Sequence, residues 1–145
     1  MTYRPIGARI IAYVACGCFV AMFAVVALAL PPDVRDGISP AQAVTLFALL
    51  VGALAVLHGI GRTRVTTDET GVHILNGYRH HELVWAEVIG IQFGRGAPWA
   101  VVDTAEGTVV QLMAIQSADG SRARAAVRRI RAELDAHEGD DDPPA

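Results

Sequence analysis

Two long apolar runs fill the first half of the chain, and short segments of alternating polarity fill the second half. The runs Ile10 to Leu30 and Ala43 to Ile60 contain no Asp, Glu, Lys or Arg. A helix needs about 20 apolar residues to cross a bilayer. The linker Pro31 to Pro40 contains three prolines and is short enough to join antiparallel helices. The pattern predicts a transmembrane hairpin over residues 1–61, with these two runs as its spans.

Small residues recur four positions apart in both apolar runs, a spacing that lets two helices approach each other closely. The pairs are Ala48 with Gly52, Ala55 with Gly59, and Gly17 with Ala21. This spacing predicts close packing within the hairpin. Dimerisation through the same positions remains an open alternative.

From Arg62 the pattern changes to short strand-like segments separated by turn residues, which predicts an antiparallel meander. Asn76-Gly77 is a strong hairpin signal because both residues tolerate positive φ. Alternation in the fourth segment puts Ile89, Ile91 and Phe93 on one face. The six predicted strands are 62–67, 72–75, 78–85, 88–93, 99–103 and 108–113.

Helical periodicity replaces the strand pattern from Ser117 to about His137. The apolar stripe of this segment consists of Ala123, Val127, Ile130 and Leu134. A small sheet cannot bury its inner face alone, so we expect this stripe to cover the sheet. The predicted fold class is α+β: the transmembrane hairpin is followed by a curved antiparallel sheet or barrel, residues 62–137, capped by the C-terminal helix. The acidic, proline-containing residues 138–145 are predicted to be disordered.

Arginine is distributed unevenly around the two predicted spans. Arg4 and Arg9 precede the first span, Arg62 and Arg64 follow the second, and the connecting loop holds only Arg35 between two aspartates. By the positive-inside rule, both termini lie in the cytoplasm. The predicted location is therefore the cell membrane, inner or plasma, with two spans.

The first apolar run has two other interpretations. Ala27-Leu28-Ala29 fits the pattern of a signal-peptide cleavage site, but the run is longer than the usual core of about 7–15 residues. Cys16 and Cys18 lack the residues that precede a lipoprotein cysteine. We favour an uncleaved span, and whether cleavage occurs remains open.

Composition argues against several classes of function. A net charge of −3 without a basic patch argues against nucleic-acid binding. Adjacent strand residues point to opposite faces, so His80 and His81 do not share one metal, and His73 adds at most one further ligand. No phosphate-binding glycine loop or nucleophile motif occurs. We therefore predict no catalytic activity, no metal and no cofactor.

Three short motifs in the second half carry a family resemblance. They are Thr70-Gly71-Val72-His73-Ile74, then Leu83-Val84-Trp85-Ala86-Glu87-Val88-Ile89, then Glu106-Gly107 before Val109-Val110-Gln111-Leu112. In this order they resemble the bacterial pleckstrin-homology (PH) domain families, in particular small actinobacterial membrane proteins of the low-molecular-weight antigen type, which have two spans before a PH-like domain. The resemblance makes Gly71, Trp85, Glu87 and Gly107 markers of the fold.

This chain departs from the eukaryotic PH pattern in two ways. We count six strands where that pattern has seven. The first hairpin turn, Asp68 to Gly71, is acidic, whereas PH domains that bind phosphoinositides place Lys and Arg there. We therefore do not extend the phosphoinositide binding of those PH domains to this chain.

The resemblance implies a membrane-anchored interaction or scaffold module at the cytoplasmic face, with a membrane protein as its expected partner. The alternative is binding of anionic lipid head groups by the PH-like domain. The candidate contact residues for lipid or partner are Arg62, Arg64, Arg79, Arg124, Arg128 and Arg131. The identity of the partner, the pathway and the oligomeric state stay open. Trp85 is predicted to plug a corner between two strands rather than to bind a ligand.

Overall fold

The computed structural model describes residues 1–138, which form two long helices, seven strands and a C-terminal helix. The long helices are α1, Ile6–Ala29, and α3, Pro40–Arg62, with the short α2, Pro32–Asp36, between them. The strands are β1 Thr2–Tyr3, β2 Arg64–Thr67, β3 Gly71–Asn76, β4 Arg79–Val84, β5 Val88–Gln92, β6 Trp99–Thr104 and β7 Val109–Gln116, followed by α4, Ser121–Glu138. This order confirms the predicted α+β class. Glu138 ends α4, and the rest of the predicted acidic tail lies outside the described residues.

Helices α1 and α3 are long and apolar enough to cross a membrane, and only 6% of each apolar window is buried. Their 24 and 23 residues correspond to lengths of about 36 and 35 Å, more than the roughly 30 Å of a hydrocarbon core. Helix α3 begins with a capping box, in which Ser39 and Gln42 each accept a backbone N–H of the other. Both helices are therefore candidate membrane spans.

The glycines of the two helices differ in what surrounds them. A Cβ on Gly17 or Gly52 would have no atom within 4 Å, so the expectation of close helix packing at these two positions is wrong. Gly59 and Gly61 are instead buried, and they face the rings of Tyr78 and Tyr13. Glycine is thus needed where aromatic rings pack on the end of α3, rather than along the hairpin.

The β-domain consists of two antiparallel sheets with a shared core. One sheet has the order β1-β2-β3-β4 and the other β5-β6-β7. The core includes Val65, Ile74, Val102 and Leu112 from the sheets, all at most 2% exposed. The four residues of the predicted apolar stripe of α4 are all buried in this core, which confirms that the helix caps the sheets.

The count of six strands was wrong, because β1 is a seventh. Thr2 pairs with Thr66 and Tyr3 with Val65, so β1 extends the first sheet beyond β2. The backbone N–H of Thr67 also donates to the carbonyl of Met1 at 2.7 Å. Burial raises the pKa of Tyr3, whose ring packs against the core. Two residues are too few for a periodic signal, and their partner strand lies beyond both long helices.

Strand β5 is irregular: Ile91 and Phe93 both contact the core as predicted, but the prediction that Ile89 shares their face was wrong. The register with β6 shifts between Val88 and Gly90, which is the signature of a β-bulge. Val88 and Ile91 consequently point into the core, whereas Ile89 is 64% exposed. A bulge reverses the alternation of side chains, and strict period-2 counting does not detect it.

The β3–β4 hairpin turn also differs from its prediction. The register pairs Asn76 with Arg79, so the two loop residues are Gly77 and Tyr78 rather than Asn76 and Gly77. The side chain of Asn76 instead joins the two sheets. Its Nδ2 donates to the carbonyl of Gln111 at 2.6 Å, and its Oδ1 accepts the N–H of Met113 at 3.2 Å.

A single 3₁₀ turn, Trp85–Glu87, connects the two sheets at the corner between β4 and β5. Trp85 is 7% exposed; its ring stacks on His137, and its Nε1 donates to the carbonyl of Asp68 at 2.9 Å. Glu87 accepts the N–H of Val84 at 3.2 Å through its side chain. The carbonyl of Glu87 accepts the N–H of Ala105 at 2.8 Å. The corner therefore ties both sheets and the end of α4 together.

The two marker glycines occupy positions that disfavour other residues. A Cβ on Gly71 would lie 2.0 Å from the carbonyl oxygen of Leu83, because β3 and β4 approach closely there. Gly107 has φ +77° in the β6–β7 turn, a conformation that costs L-residues energy. A side chain at Gly71 would therefore require a shift of the backbone, and one at Gly107 would be strained.

We expect Trp85→Ala to destabilise the protein by about 3–5 kcal/mol, because it removes a buried aromatic ring and leaves a cavity. Urea unfolding of the full chain in detergent, followed by circular dichroism, measures the loss. Val84→Ala is the control, because Val84 is 51% exposed and its truncation should cost less than about 0.5 kcal/mol. Similar losses in the two variants would contradict the corner role of Trp85.

Candidate functional site

The two long helices enter the β-domain through very short connections. Arg4 and Pro5 alone separate β1 from α1, and Thr63 alone separates α3 from β2. Because β1 and β2 are paired to each other, the ends of both helices are held by neighbouring strands. The domain is thereby fixed at one end of the helix pair.

The β3–β4 turn adds a second connection along α3. The hydroxyl of Tyr78 donates to the carbonyl of Ala55 at 2.7 Å, and its ring would contact any Cβ on Gly59 at 2.9 Å. The backbone N–H of Gly77 donates to Oγ1 of Thr63 at 3.2 Å, and that hydroxyl donates to the carbonyl of Gly59 at 3.3 Å. The hairpin therefore packs against the last two turns of α3.

Aromatic and cationic side chains form a belt around this end of the helix pair. The guanidinium of Arg62 lies 5.3 Å from the ring centroid of Tyr78, and that of Arg9 lies 6.0 Å from Tyr13. The ring centroid of His58 lies 6.2 Å from that of Tyr13 and 6.5 Å from that of Tyr78, so the histidine contacts both tyrosines. Tyrosine is enriched at membrane–water interfaces, and arginine is enriched in the cytoplasmic segments next to membrane spans.

Three of the candidate contact residues, Arg62, Arg64 and Arg79, do not converge on one site. Arg64 lies opposite Leu75 and Arg79 opposite Asn76, so the two arginines project from opposite faces of the sheet. Arg64 lines a cleft that also contains the acidic Asp68 and Glu82. Arg79 lines a separate, mostly apolar cavity of about 650 Å³ between α3 and β7.

The other three, on α4, have different environments. The Nε of Arg131 donates to the carbonyl of Ile91 at 2.8 Å, so this residue secures the helix on the edge strand β5. Arg124 and Arg95 line one shallow cavity of about 360 Å³, and no acidic residue of the described part of the chain, residues 1–138, lines it. Arg128 is exposed one turn after Arg124. Arg95, Arg124 and Arg128 are hereafter called the basic face.

The β2–β3 turn carries a negative charge that the backbone stabilises. Oδ1 of Asp68 accepts the hydroxyl of Thr70 at 2.5 Å and the backbone N–H groups of Thr70 and Gly71 at 2.9 and 3.2 Å. These bonds, the Thr70 hydroxyl first, lower the pKa of Asp68 to about 2. Nε2 of His73 lies 2.9 Å from the other carboxylate oxygen. An ionised carboxylate at this position repels an anionic head group.

The histidines do not assemble a metal centre within residues 1–138, where no three His, Cys, Asp or Glu side chains come together. His73 pairs across the strands with Glu82, and His81 pairs with Ile74 in the next row. His73 and His81 therefore lie on opposite faces of the sheet, and His81 shares its face with the buried Ile74.

One group of residues was missed as a site by the sequence analysis. Arg4 and Arg9, assigned there only to topology, line a groove of about 450 Å³ together with Arg122. The groove lies between the start of α1, β7 and the start of α4. No local signal reveals it, because its walls are more than 100 residues apart in sequence.

Comparison with known proteins defines the class of this domain. The sequence model of the bacterial PH domain family matches residues 62–133, which run from the end of α3 into α4. The C-terminal domain therefore belongs to the bacterial PH domain family, as the three motifs indicated. No solved structure matches the chain significantly.

The chain is similar to mycobacterial proteins that are described as uncharacterised. Rv1417 of Mycobacterium tuberculosis and Mb1452 of Mycobacterium bovis are each 34% identical to it over 86 residues, which is 59% of this chain and 54% of the relative. The chain thus spans about half the length of the curated relatives it matches. These relatives agree with the resemblance to actinobacterial proteins.

We expect Gly59→Leu to loosen the packing of the domain on α3, because the new side chain displaces the ring of Tyr78 and breaks its bond to Ala55. The loss is about 0.5–1.5 kcal/mol. Hydrogen–deuterium exchange of the full chain in detergent should show faster exchange around residues 59–79. Gly52→Leu is the matched control, since a Cβ there meets nothing within 4 Å. Equal exchange in both variants would refute the contact.

We expect the stability contribution of Asp68 to depend on pH. Its pKa is lowered from 3.8 to about 2 on folding, so its stabilisation is present above about pH 4 and is lost as the pH falls towards 2. The difference in Tm between the wild type and Asp68→Asn should be largest near about pH 7 and should vanish near about pH 2. Glu69→Gln serves as the charge-matched control. A difference independent of pH would contradict the assignment.

Proposed function

We propose that this protein is a membrane-anchored interaction module, without catalytic activity of its own, that holds a PH domain at the cytoplasmic face of a bacterial inner or plasma membrane. The PH domain family and the two candidate spans support the two halves of this proposal. The distribution of Arg4, Arg9, Arg62 and Arg64 supports the orientation, by the positive-inside rule.

The observation that carries the proposal is the direct continuity between helices and sheet. A domain on a long linker samples many orientations, whereas this one is attached through β1, β2 and the turn at Tyr78. Such an attachment presents the same surface to the membrane and the same surface to the cytoplasm at all times. Restriction to the membrane plane also raises the effective concentration of a membrane-adjacent partner.

The basic face supports a partner of definite chemistry. Two arginines line its cavity, and no carboxylate among the residues that the structure describes does so; Arg128 extends the positive charge along α4. Guanidinium groups bind carboxylates bidentately. An acidic segment of a neighbouring membrane protein is therefore the partner that this face fits.

The proposal is tested by affinity purification of the tagged full-length protein from membranes of its host. We expect Arg124→Gln with Arg128→Gln to reduce recovery of the partner at least about tenfold, because charge pairs that are lost at an interface cost about 2–5 kcal/mol. A glutamate-rich peptide should compete with the partner. Arg9→Gln with Arg122→Gln removes the same charge elsewhere and should leave recovery unchanged.

Two results would contradict the proposal. Equal recovery by all variants would exclude the basic face as the contact surface. A C-terminal alkaline phosphatase fusion that is active outside the membrane would refute the cytoplasmic orientation, since that enzyme folds only where disulfides form.

A further inference from the structure

The groove of about 450 Å³ beside the start of α1 changes character along its length. At the helix it is lined by Ile6 and Ile10, which lie one turn apart and are both exposed. Towards the β-domain it is lined by Arg122 and by the buried Ala123. Small residues leave the groove open there, because Ala123 fills little of the space between α4 and α1.

Positive charge dominates this groove. Arg4, Arg9 and Arg122 line it, and Asp119 is the only acidic residue that does so among residues 1–138. Within the same part of the chain, no carboxylate lies within 4.0 Å of these guanidinium groups. Three arginines that lack ion pairs repel one another, and an anion between them relieves that repulsion.

The position of the groove restricts the anion. Arg9 is the last charged residue before the uncharged run that begins at Ile10. The belt of Tyr13, His58 and Tyr78 lies at the same end of the helix pair. Ile10, which begins the uncharged run, thus lies on the acyl side of the groove, whereas Arg4 and Ile6 lie nearer the β-domain at the head-group level.

We propose that this groove binds an anionic phospholipid of the cytoplasmic leaflet. Its phosphate lies among Arg4, Arg9 and Arg122, and the first methylenes of its acyl chains lie on Ile10. Arginine suits a phosphate because its fork donates two parallel hydrogen bonds. None of its residues belongs to the set Arg62, Arg64 and Arg79, which the sequence analysis considered for lipid. The inference rests on the membrane anchorage proposed above.

An acidic peptide fits this groove less well than a lipid does. A peptide bound to the arginines at the head-group level would leave the exposed Ile10 facing the bilayer without contacting it. A phospholipid is already present at that level. Basic pockets beside membrane helices on the cytoplasmic side bind anionic head groups in the same way.

The test measures binding of fluorescent phosphatidylglycerol and phosphatidylcholine to the full chain in detergent. We expect the wild type to prefer phosphatidylglycerol about tenfold or more, since each cation near an anionic lipid contributes roughly fivefold. Arg9→Gln with Arg122→Gln should abolish the preference. Arg124→Gln with Arg128→Gln removes equal charge from the same protein and should retain it within about twofold.

Each outcome decides the proposal. Unchanged preference in Arg9→Gln with Arg122→Gln, or equal loss in both double variants, would overturn the site. Displacement of the lipid by millimolar inorganic phosphate would assign the groove to a soluble anion, and displacement by a glutamate-rich peptide would assign it to a protein. If the double variant fails to fold by circular dichroism, Arg122→Gln and Arg122→Lys replace it, and only the lysine variant should keep a preference.

Failure of this inference and failure of the proposed function give different results. Loss of lipid preference with normal partner recovery would identify the groove as a separate lipid site. If the protein prefers phosphatidylglycerol normally but neither the wild type nor any variant recovers a partner, the proposed interaction module is refuted and the lipid site in the groove is retained. Extraction of the protein from membranes by alkaline carbonate would refute the membrane anchorage on which the proposed function and the lipid site both rest.

Discussion

The backbone pairing of β1 with β2 is the constraint on which the arrangement of this protein depends. Thr2 and Tyr3 lie before the helix pair, and Val65 and Thr66 lie after it, so the pairing closes the helical hairpin at its base. With two residues between β1 and α1 and one between α3 and β2, neither helix can turn independently of the sheet. The orientation of the PH domain relative to the two candidate spans is therefore set by a few hydrogen bonds rather than by the length of a linker.

The turn at Tyr78 reinforces this constraint from the opposite side of α3. The tyrosine reaches Ala55 and packs on Gly59, while Thr63 bonds to both Gly59 and Gly77. Polar groups at the end of α3 are thereby satisfied by the domain itself. Because the contacts on the two sides of the helix pair differ, the domain presents one groove beside α1 and a second cavity beside α3, each with its own charge and polarity.

A PH fold does not by itself define a ligand, because function depends on the residues placed on the fold. In this chain the β2–β3 turn is acidic and Asp68 is held ionised by its hydrogen bonds, so phosphoinositide binding there is disfavoured. The positive charge lies elsewhere, on α4 and around the start of α1. Arg124 and Arg122 are two positions apart on one helix, yet they line different cavities, which separates a surface suited to an acidic partner from a groove suited to a lipid.

Local polarity alone determined the class of this protein: two uncharged runs, six of the seven strands, the apolar stripe of α4 and the three motifs of the PH family are all visible in sequence, because each depends on neighbouring residues. The β-bulge at Val88–Gly90 and the inter-sheet role of Asn76 were not predictable, since each depends on a partner strand. The same holds for β1 and for the groove of Arg4, Arg9 and Arg122, whose parts are brought together only by folding. Long-range pairing decided where the charges meet, because residues separated by two helices leave no periodic trace of their contact.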